Sequence, residues 1–145
     1  MRIEEISGND REQALKLVLS VFMEYEAPDY SEQGIQTFKD FIGNREAIDC
    51  LKIYGAYLDD ELVGVIATRN HGNHIALFFV DGRHHQKGIG RKLFEYALEK
   101  STGNKITVNS SPIAVEVYKK LGFVPDSGEQ VVDGIRFTPM TYIKG

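Results

Sequence analysis

The sequence predicts a mixed α/β fold, with one mostly antiparallel sheet and helices on both of its faces. Apolar residues recur at every third or fourth position in the first part of the chain and at every second position from Leu51 onward. Two-residue turn signals join several of the alternating segments and indicate antiparallel hairpins. Helical segments separate the other strands and indicate crossover connections, which cover both faces of the sheet.

One strand and two helices are predicted in the first part of the chain. Residues 2–6 form a short strand, and Asp10 can cap a helix that runs to about residue 25. The chain breaks at 28–31, where Ser31 can cap a second helix that ends at Gly43. The apolar stripes of the two helices are Ala14, Leu15, Val18, Leu19 and Phe22, and Ile35, Phe38, Phe41 and Ile42.

Three strands are predicted next, and they are joined by short turns. Residues 51–58 and 62–68 form a hairpin around the turn residues Asp59 and Asp60. Residues 70–73 make a second turn before a strand over 74–80. These three segments therefore form the antiparallel part of the sheet.

The remaining elements alternate helices with strands. A glycine turn leads into a helix that ends near residue 100, and a short strand covers 106–108. Ser111 and Pro112 start another helix, since proline loses no hydrogen bond in the first turn, and it ends at Gly122. The last strands are 123–124, 130–132 and 135–142, with a hairpin at Asp133-Gly134. The predicted order is β-α-α-β-β-β-α-β-α-β-β.

Composition limits the classes of protein to consider. The 145 residues are expected to form one domain, 1–145, with 42% hydrophobic and 26% charged residues. A net charge of −4 argues against a nucleic-acid partner, and no apolar run reaches the roughly 18 residues of a membrane span. Cys50 is the only cysteine, so no internal disulfide can form and a cytoplasmic location is expected.

The most informative segment is 77–98, where an apolar strand passes through glycines into a helix. The strand stops at Asp81, and Gly88-Ile89-Gly90 opens the helix. The first amides of a helix have no internal partner and lie at the positive end of its dipole, so they bind phosphate groups. The basic residues around this turn are Arg83, Lys87, Arg91 and Lys92.

Two common phosphate-binding loops are excluded by residues that are missing. A Walker loop needs Gly-Lys followed by Ser or Thr after its glycines, and none follows Gly90. A dinucleotide fingerprint needs a third glycine where this chain has Leu93. What remains, a Gly-x-Gly pair opening a helix after an apolar strand, resembles the acetyl-CoA loop of the GNAT acyltransferases (Gcn5-related N-acetyltransferases). The predicted element order also matches the GNAT fold over nearly the whole length.

The resemblance implies a cofactor site for acetyl-CoA. The strand before the loop would splay from its neighbour, so that backbone groups of Phe78, Phe79 and Val80 pair with the pantetheine arm. Amides between Gln86 and Gly90 would hold the pyrophosphate. The family usually carries Gln or Arg where this chain has His85. The cofactor residues implied in this loop are His85, Gln86, Lys87, Gly88, Ile89, Gly90 and Arg91.

A second motif resembles the family's Asn-x-x-x-x-Ala-x-x-x-Tyr-x-x-x-Gly-Phe signature, and it spans 109–123. The resemblance implies that Asn109 binds the pantetheine amide and that Ala114 is small where the cofactor passes. Tyr118 lies four residues later, on the same helix face. It is implied as the catalytic acid that protonates the leaving thiolate.

A general base is less clearly marked. His74 begins the strand that leads to the loop, at the place where histone-type members of the family carry a catalytic glutamate, and imidazole titrates near neutral pH. Glu26, Asp29 and Glu32 are the alternatives. If the fold is correct, the acceptor side is lined by Tyr25, Glu26, Asp29, Tyr30 and Glu32, whose carboxylates hint at a cationic acceptor.

The sequence thus predicts an N-acetyltransferase that moves an acetyl group from acetyl-CoA to a primary amine of a small molecule or peptide by direct attack. A CoA-binding module without turnover is the main alternative, and a nucleotide-binding protein is a weaker one. The histidines at 71, 74, 84 and 85 have no cysteine or acidic cluster to complete a metal site, so no metal is expected. Both a monomer and a homodimer remain open.

Overall fold

The computed structural model describes residues 1–85 and 87–145. Within them the chain forms eight strands, β1 to β8, at Arg2–Ile6, Lys52–Leu58, Glu61–Arg69, His74–Val80, Lys105–Ser110, Val124–Pro125, Gln130–Val132 and Ile135–Ile143. It also forms five α-helices, α1 to α5, at Asp10–Val21, Glu32–Ile42, Arg45–Asp49, Ile89–Lys100 and Val115–Leu121.

One sheet organises the molecule. Its strand order is β1-β2-β3-β4-β5-β8-β6, and β7 pairs with β8 beside this path. Every neighbouring pair is antiparallel except β4 and β5. The prediction of a mixed, mostly antiparallel sheet is therefore confirmed.

The parallel pair separates soon after it starts. β4 and β5 are paired only at His74 with Thr107 and at Ile75 with Val108. Ala76 is an extra residue in β4, because Thr68 pairs with Ile75 while Ala67 pairs with Leu77. Such a bulge bends its strand. Beyond it β4 follows β3 and β5 follows β8, so a wedge-shaped gap opens in the middle of the sheet.

Helices cover both faces of the sheet, as predicted. On one face α1 and α2 cover a core that includes Val18, Phe22, Leu77 and Phe79. On the other face α4 and α5 cover a core that includes Leu93, Ile106, Tyr118 and Met140. The strand β3 is buried from Leu62 to Thr68, because it is central and both of its faces are covered.

The first helix differs from its prediction at both ends. Asp10 is the first residue of α1 rather than its cap, and the preceding Asn9 makes no side-chain cap hydrogen bond. The helix continues past Val21 as a π-helical turn, Phe22–Glu26, and then as one 3₁₀ turn, Ala27–Asp29. The single helix predicted to about residue 25 is thus an α-helix that continues as a wider π-helical turn and then as a narrower 3₁₀ turn.

The predicted turns agree with the structure. The Ser31 hydroxyl accepts a hydrogen bond from the Gly34 amide at 3.1 Å and caps α2. Asp59 and Asp60 have φ values of 50° and 66°, and Asp133 and Gly134 have 52° and 79°, as two-residue hairpins require. The short α3 was not predicted, since five residues are too few to show a period. Another unpredicted 3₁₀ turn, Pro112–Ala114, precedes α5.

Candidate active site

The helix α4 begins with a cradle of amides that have no acceptor among the described residues. Gly88 precedes it in the left-handed region, at φ 80° and ψ 4°. The Lys92 amide donates to the Gly88 carbonyl at 3.1 Å, so the three amides before it, 89–91, have no acceptor inside the helix. A Cβ at Gly88 would meet no atom of the described chain within 4 Å, so the space beside this glycine is open. The arrangement suits an anion.

Two of the basic side chains near the cradle already have protein partners. Arg83 Nη2 lies 2.8 Å from Glu61 and 2.9 Å from Asp81, and this guanidinium lowers the pKa of Asp81 to about 2. Arg91 donates to the Lys120 carbonyl at 3.1 Å and ties α4 to α5. Lys87 is exposed beside Gly88. The main-chain amides and Lys87 are therefore the donors best placed for a phosphate group.

His85 lies against the end of β4 rather than in front of the amides. Its Nε2 atom is 2.8 Å from the Val80 carbonyl oxygen, and its ring packs on Tyr25 with centroids 5.1 Å apart. The Tyr25 hydroxyl lies so close to Gly82 that a Cβ there would collide with it. Tyr25 therefore packs on the segment between β4 and α4, although it was predicted on the acceptor side. Gln86, also predicted in the cofactor site, is outside the described residues.

The edge of β4 that faces the wedge offers free backbone groups. The Asp81 amide donates to the Val63 carbonyl at 2.8 Å, and the groups of an antiparallel strand alternate between its two sides. Phe79 therefore points its backbone groups at β3, while Phe78 and Val80 point theirs into the wedge. The Val80 carbonyl already contacts His85, so the groups without a partner among the described residues are the Val80 amide and the amide and carbonyl of Phe78. Two of the three residues predicted to pair with a pantetheine arm have groups available for it.

A cavity of about 310 Å³ occupies the wedge and reaches both faces of the sheet. Phe78, Asn109, Ala114 and Tyr118 line it on the side of α5. Ala114 and Tyr118 thus share one wall, although Ala114 belongs to the 3₁₀ turn that precedes the helix of Tyr118. The residues that line it on the side of α1 and α2 include Phe22, Glu26, Tyr30 and Phe38. The gap between the strands thus connects the two predicted halves of the site.

Tyr118 is the buried phenol of this cavity. It is 6% exposed, and its ring packs on Phe78 at 6.0 Å and on Phe123 at 5.3 Å. Burial raises the pKa of Tyr118, and the nearby Glu26 carboxyl raises it further. The phenol therefore keeps its proton at neutral pH.

Glu26 is a carboxyl group at the end of an apolar stripe. It follows Ala14, Val18 and Phe22 at intervals of four residues, and it ends the π-helical turn that packs against the sheet. Burial raises the pKa of Glu26 to about 7, while the Ser111 hydroxyl beside it opposes the shift and Asp29 adds to it. Glu26 makes no ion pair with a described residue. It can therefore exchange a proton near neutral pH.

Ser111 is a member of the cavity wall that the sequence did not single out. The residue is 9% exposed, and its Oγ lies near the Glu26 carboxyl group without a hydrogen bond of standard geometry to any described residue. In the sequence it marked only the start of a helix. A buried hydroxyl without a partner is costly, so one facing the cavity is available to a ligand.

His74 lies at the closed end of the wedge, where β4 and β5 still pair. Its Nδ1 is 2.8 Å from Thr107 Oγ1. Burial, with the positive charge of Arg69, lowers the pKa of His74 to about 4. The imidazole is therefore neutral at pH 7 and is a weak base.

The residues predicted on the acceptor side are only partly brought together. Glu26 and Tyr30 line the cavity. Asp29 is exposed, and its carbonyl accepts a hydrogen bond from Arg136 Nη1 at 3.0 Å, while Glu32 is exposed in the first turn of α2. The phenylalanines on this side, Phe22, Phe38 and Phe41, were predicted only as core residues, since helical spacing alone does not separate a core from a cavity wall.

The described residues contain neither a metal-binding cluster nor a membrane-spanning helix. No group of three or more His, Cys, Asp and Glu side chains is placed to hold a metal ion in the described part of the chain. Across the same ranges, 1–85 and 87–145, no helix has the length and apolar character needed to cross a bilayer.

Comparison with solved structures identifies several relatives of the same fold. The GCN5-related N-acetyltransferase from Rhodopseudomonas palustris is 17% identical and has a TM-score of 0.81, covering 98% of this chain and 94% of that one. Apo YjaB from Escherichia coli is 22% identical with a TM-score of 0.75, covering 99% and 98%. PaiA N-acetyltransferase from Thermoplasma acidophilum, in complex with coenzyme A, is 21% identical with a TM-score of 0.67, covering 99% of each chain.

Sequence comparison assigns the family. None of the curated proteins matches the chain. A family model described as an acetyltransferase (GNAT) domain matches residues 26–144, which include the cradle, the wedge and the Tyr118 helix. The chain therefore belongs to the GNAT acetyltransferase family.

Proposed function

We propose that the protein is an N-acetyltransferase that transfers an acetyl group from acetyl-CoA to a primary amine in a ternary complex. The observation that carries the proposal is the cavity in the β4–β5 wedge. It holds a protonated phenol, Tyr118, and a carboxyl group that titrates near neutral pH, Glu26. The amide cradle of α4 adjoins the β4 edge of this wedge. An acid, a base and an anion site therefore lie along one path.

The residues present fit coenzyme A. The amides of 89–91, with Lys87 and Gly88, suit a diphosphate, and the Val80 amide and the backbone groups of Phe78 suit an amide-containing arm. Asn109 is exposed at the edge of the wedge, and Ala114 leaves room beside it. The PaiA relative was solved with coenzyme A, and so were an aminoglycoside 6'-N-acetyltransferase and a Bacillus subtilis acetyltransferase of similar fold. These similarities support the cofactor assignment.

Each residue then has a chemical task. When bound, acetyl-CoA supplies a thioester whose carbonyl carbon bonds to the amine nitrogen as the carbon–sulfur bond breaks. The Val80 amide donates a hydrogen bond toward that carbonyl oxygen. Tyr118 gives its proton to the departing sulfur, since a phenol held neutral by burial is a proton donor at pH 7. The wedge contributes position and the exclusion of water.

We assign the role of general base to Glu26 rather than to His74. A base should have a pKa near the working pH, and that of Glu26 is raised to about 7 whereas that of His74 is lowered to about 4. Glu26 also lacks a cationic partner in the described chain, which an acceptor ammonium would supply. His74 instead holds β4 to β5 through Thr107 and positions the closed end of the wedge.

Replacement of the phenol tests this proposal. We expect Tyr118→Phe to lower kcat about 100-fold, because the sulfur loses its proton donor, while the Kd for coenzyme A changes less than about two-fold. Thiol release from acetyl-CoA over a panel of amines gives kcat, and calorimetry gives Kd. Tyr96→Phe is the matched control, since Tyr96 packs on Tyr54 away from the cavity.

Two outcomes would contradict the proposal. If Tyr118→Phe keeps wild-type kcat, the phenol is not the proton donor. If the wild-type protein binds coenzyme A but transfers acetyl to no amine, the alternative of a CoA-binding module without turnover is correct, since family membership alone does not establish activity.

A further inference from the structure

Aromatic rings form most of the cavity wall on the acceptor side. Phe22 and Phe38 stack with centroids 3.9 Å apart, and Phe38 meets Phe79 edge-on at 5.9 Å. Phe22 and Phe79 are buried and hold Phe38 in a fixed position, so that the half-buried Phe38 presents an apolar face to the cavity. Such a surface suits a hydrocarbon or aromatic body. The other rings on this side are Tyr30, Phe41 and Phe137.

Only one acidic side chain faces this wall. Among the described residues that line the cavity, Glu26 is the one carboxylate, and the guanidinium of Arg69 lines the same space. A first ammonium on a ligand can pair with Glu26. A second would lose its hydration without an acidic partner and would be repelled by Arg69. The charges therefore match a ligand with one cationic nitrogen.

The β7–β8 hairpin closes over the acceptor side. The Thr37 hydroxyl donates to the Asp133 carbonyl at 2.7 Å, and the Tyr30 hydroxyl donates to the Arg136 carbonyl at 3.2 Å. The hairpin backbone lies so close to α2 that a Cβ at Gly134 would collide with the backbone of this helix. The hairpin thus packs on α2 and narrows the acceptor side of the cavity, which Ile135 and Phe137 line. A cavity of about 310 Å³ is also small for a ligand site.

We propose that the acceptor is a small primary amine with a single cationic nitrogen and an apolar or aromatic body. The proposal rests on the proposed N-acetyltransferase function and adds the class of the acceptor. The ammonium pairs with Glu26, and the body packs on the half-buried rings of Phe38, Phe41 and Phe137. The single carboxylate disfavours polyamines and aminoglycosides, and the hairpin that narrows this side of the cavity disfavours peptide lysines.

Wild-type kinetics give the first test. Thiol release is measured at saturating acetyl-CoA with 2-phenylethylamine, hexylamine, spermidine, kanamycin and a blocked peptide with one free lysine. We expect kcat/KM for the first two to exceed that for the other three at least about 100-fold. A preference for spermidine, kanamycin or the peptide overturns the acceptor class and leaves the proposed function intact. Transfer to none of the five, with coenzyme A bound, overturns the proposed function as well.

A second carboxylate in the wall gives the second test. We expect Phe137→Asp to shift the spermidine to 2-phenylethylamine ratio of kcat/KM at least about ten-fold toward spermidine, because the added charge pairs with a second ammonium. Val131→Asp is the matched control, since Val131 is exposed on the same hairpin and outside the cavity. It should leave the ratio unchanged. Thermal shift with coenzyme A verifies that each variant is folded, and Phe41→Asp replaces Phe137→Asp if the latter does not fold.

An unchanged ratio in a folded variant overturns the proposal. In that case the rings named above do not contact the acceptor. The wild-type panel decides the acceptor class by itself if neither variant folds.

Discussion

Burial of Glu26 destabilises the folded protein and raises the pKa of its carboxyl group. Glu26 ends the apolar stripe that runs from α1 into the π-helical turn, where an apolar residue would ordinarily stand. Burial there disfavours the charged form of its carboxyl group. The folded protein therefore binds a proton at this group more tightly than the unfolded chain does. Destabilisation of this kind is common where a residue is kept for function.

Replacement of Glu26 should stabilise the protein at high pH. A carboxyl pKa raised from 4.5 to about 7 favours folding below about pH 4.5, and this contribution is lost as pH rises through 7. We expect Glu26→Gln to match the wild type near pH 4.5 and to exceed its free energy of unfolding by about 3 kcal/mol at pH 8. Urea denaturation between pH 4.5 and 8 measures the difference.

The same variant gives an activity profile. Wild-type kcat/KM should rise to a plateau above about pH 7, because the base must be deprotonated, whereas Glu26→Gln should be slow and lack this rise. Glu24→Gln is the control, since Glu24 lies exposed in the same turn.

The stability measurement can contradict this account of Glu26. If the free energy of unfolding changes with pH in the same way for the wild type and for Glu26→Gln, burial does not raise the pKa of Glu26.

The sequence predicted where some site residues lie better than it predicted how readily they bind a proton. The positions of Tyr118 and Ala114 follow from a motif on one helix, so the sequence places both in one wall. The proton affinities of Glu26 and His74 depend on packing between distant elements and could not be read from spacing. For the same reason His85 and Tyr25, which contact each other across about 60 residues of chain, were assigned to different halves of the site.

At the scale of elements, the cradle depends on one backbone conformation. Gly88 is left-handed, at φ 80°, and this turns the following amides outward at the start of α4. A side chain at this position resists the left-handed region and would also fill open space at the start of the cradle. The left-handed conformation and the need for open space therefore both favour glycine at position 88.

A pair of glycine variants separates strain from binding. Gly88→Ala and Gly8→Ala both place a Cβ at positive φ, 80° and 61°, in open surroundings. We expect each to lower the free energy of unfolding by about 1–2 kcal/mol. Only Gly88→Ala should weaken coenzyme A binding, by at least about ten-fold, because only it disturbs the cradle. Denaturation and calorimetry measure the two effects.

Equal coenzyme A affinity in the Gly88→Ala and Gly8→Ala variants would contradict the cradle. The diphosphate would then bind elsewhere, and the outward amides of α4 would have only a structural role.

Elements with a strong local signal were predicted well, and elements without one were not. Hairpin turns at Asp59-Asp60 and Asp133-Gly134 are set by residues that tolerate positive φ, so the sequence contains the whole signal. The π turn, the 3₁₀ turns and α3 are too short to show a period. The extra residue in β4, Ala76, also has no signal in the sequence, although the wedge opens there.

For the molecule as a whole, strand pairing creates the site. The sheet continues from β4 to β5 through only two residue pairs, and the bulge then separates them. Element order predicted the mixed sheet with covered faces, because hairpins and crossovers restrict topology strongly. It did not predict that the β7–β8 hairpin packs on α2, since that contact joins Gly34 and Gly134 across a hundred residues.

A crystal structure of the coenzyme A complex tests the central claim most directly. We predict the diphosphate on the amides of residues 89–91, the arm along the Phe78 and Val80 edge of β4, and the sulfur within hydrogen-bonding reach of the Tyr118 hydroxyl. A complex in which the α4 amides contact no phosphate, or in which the sulfur lies outside the β4–β5 wedge, would contradict it.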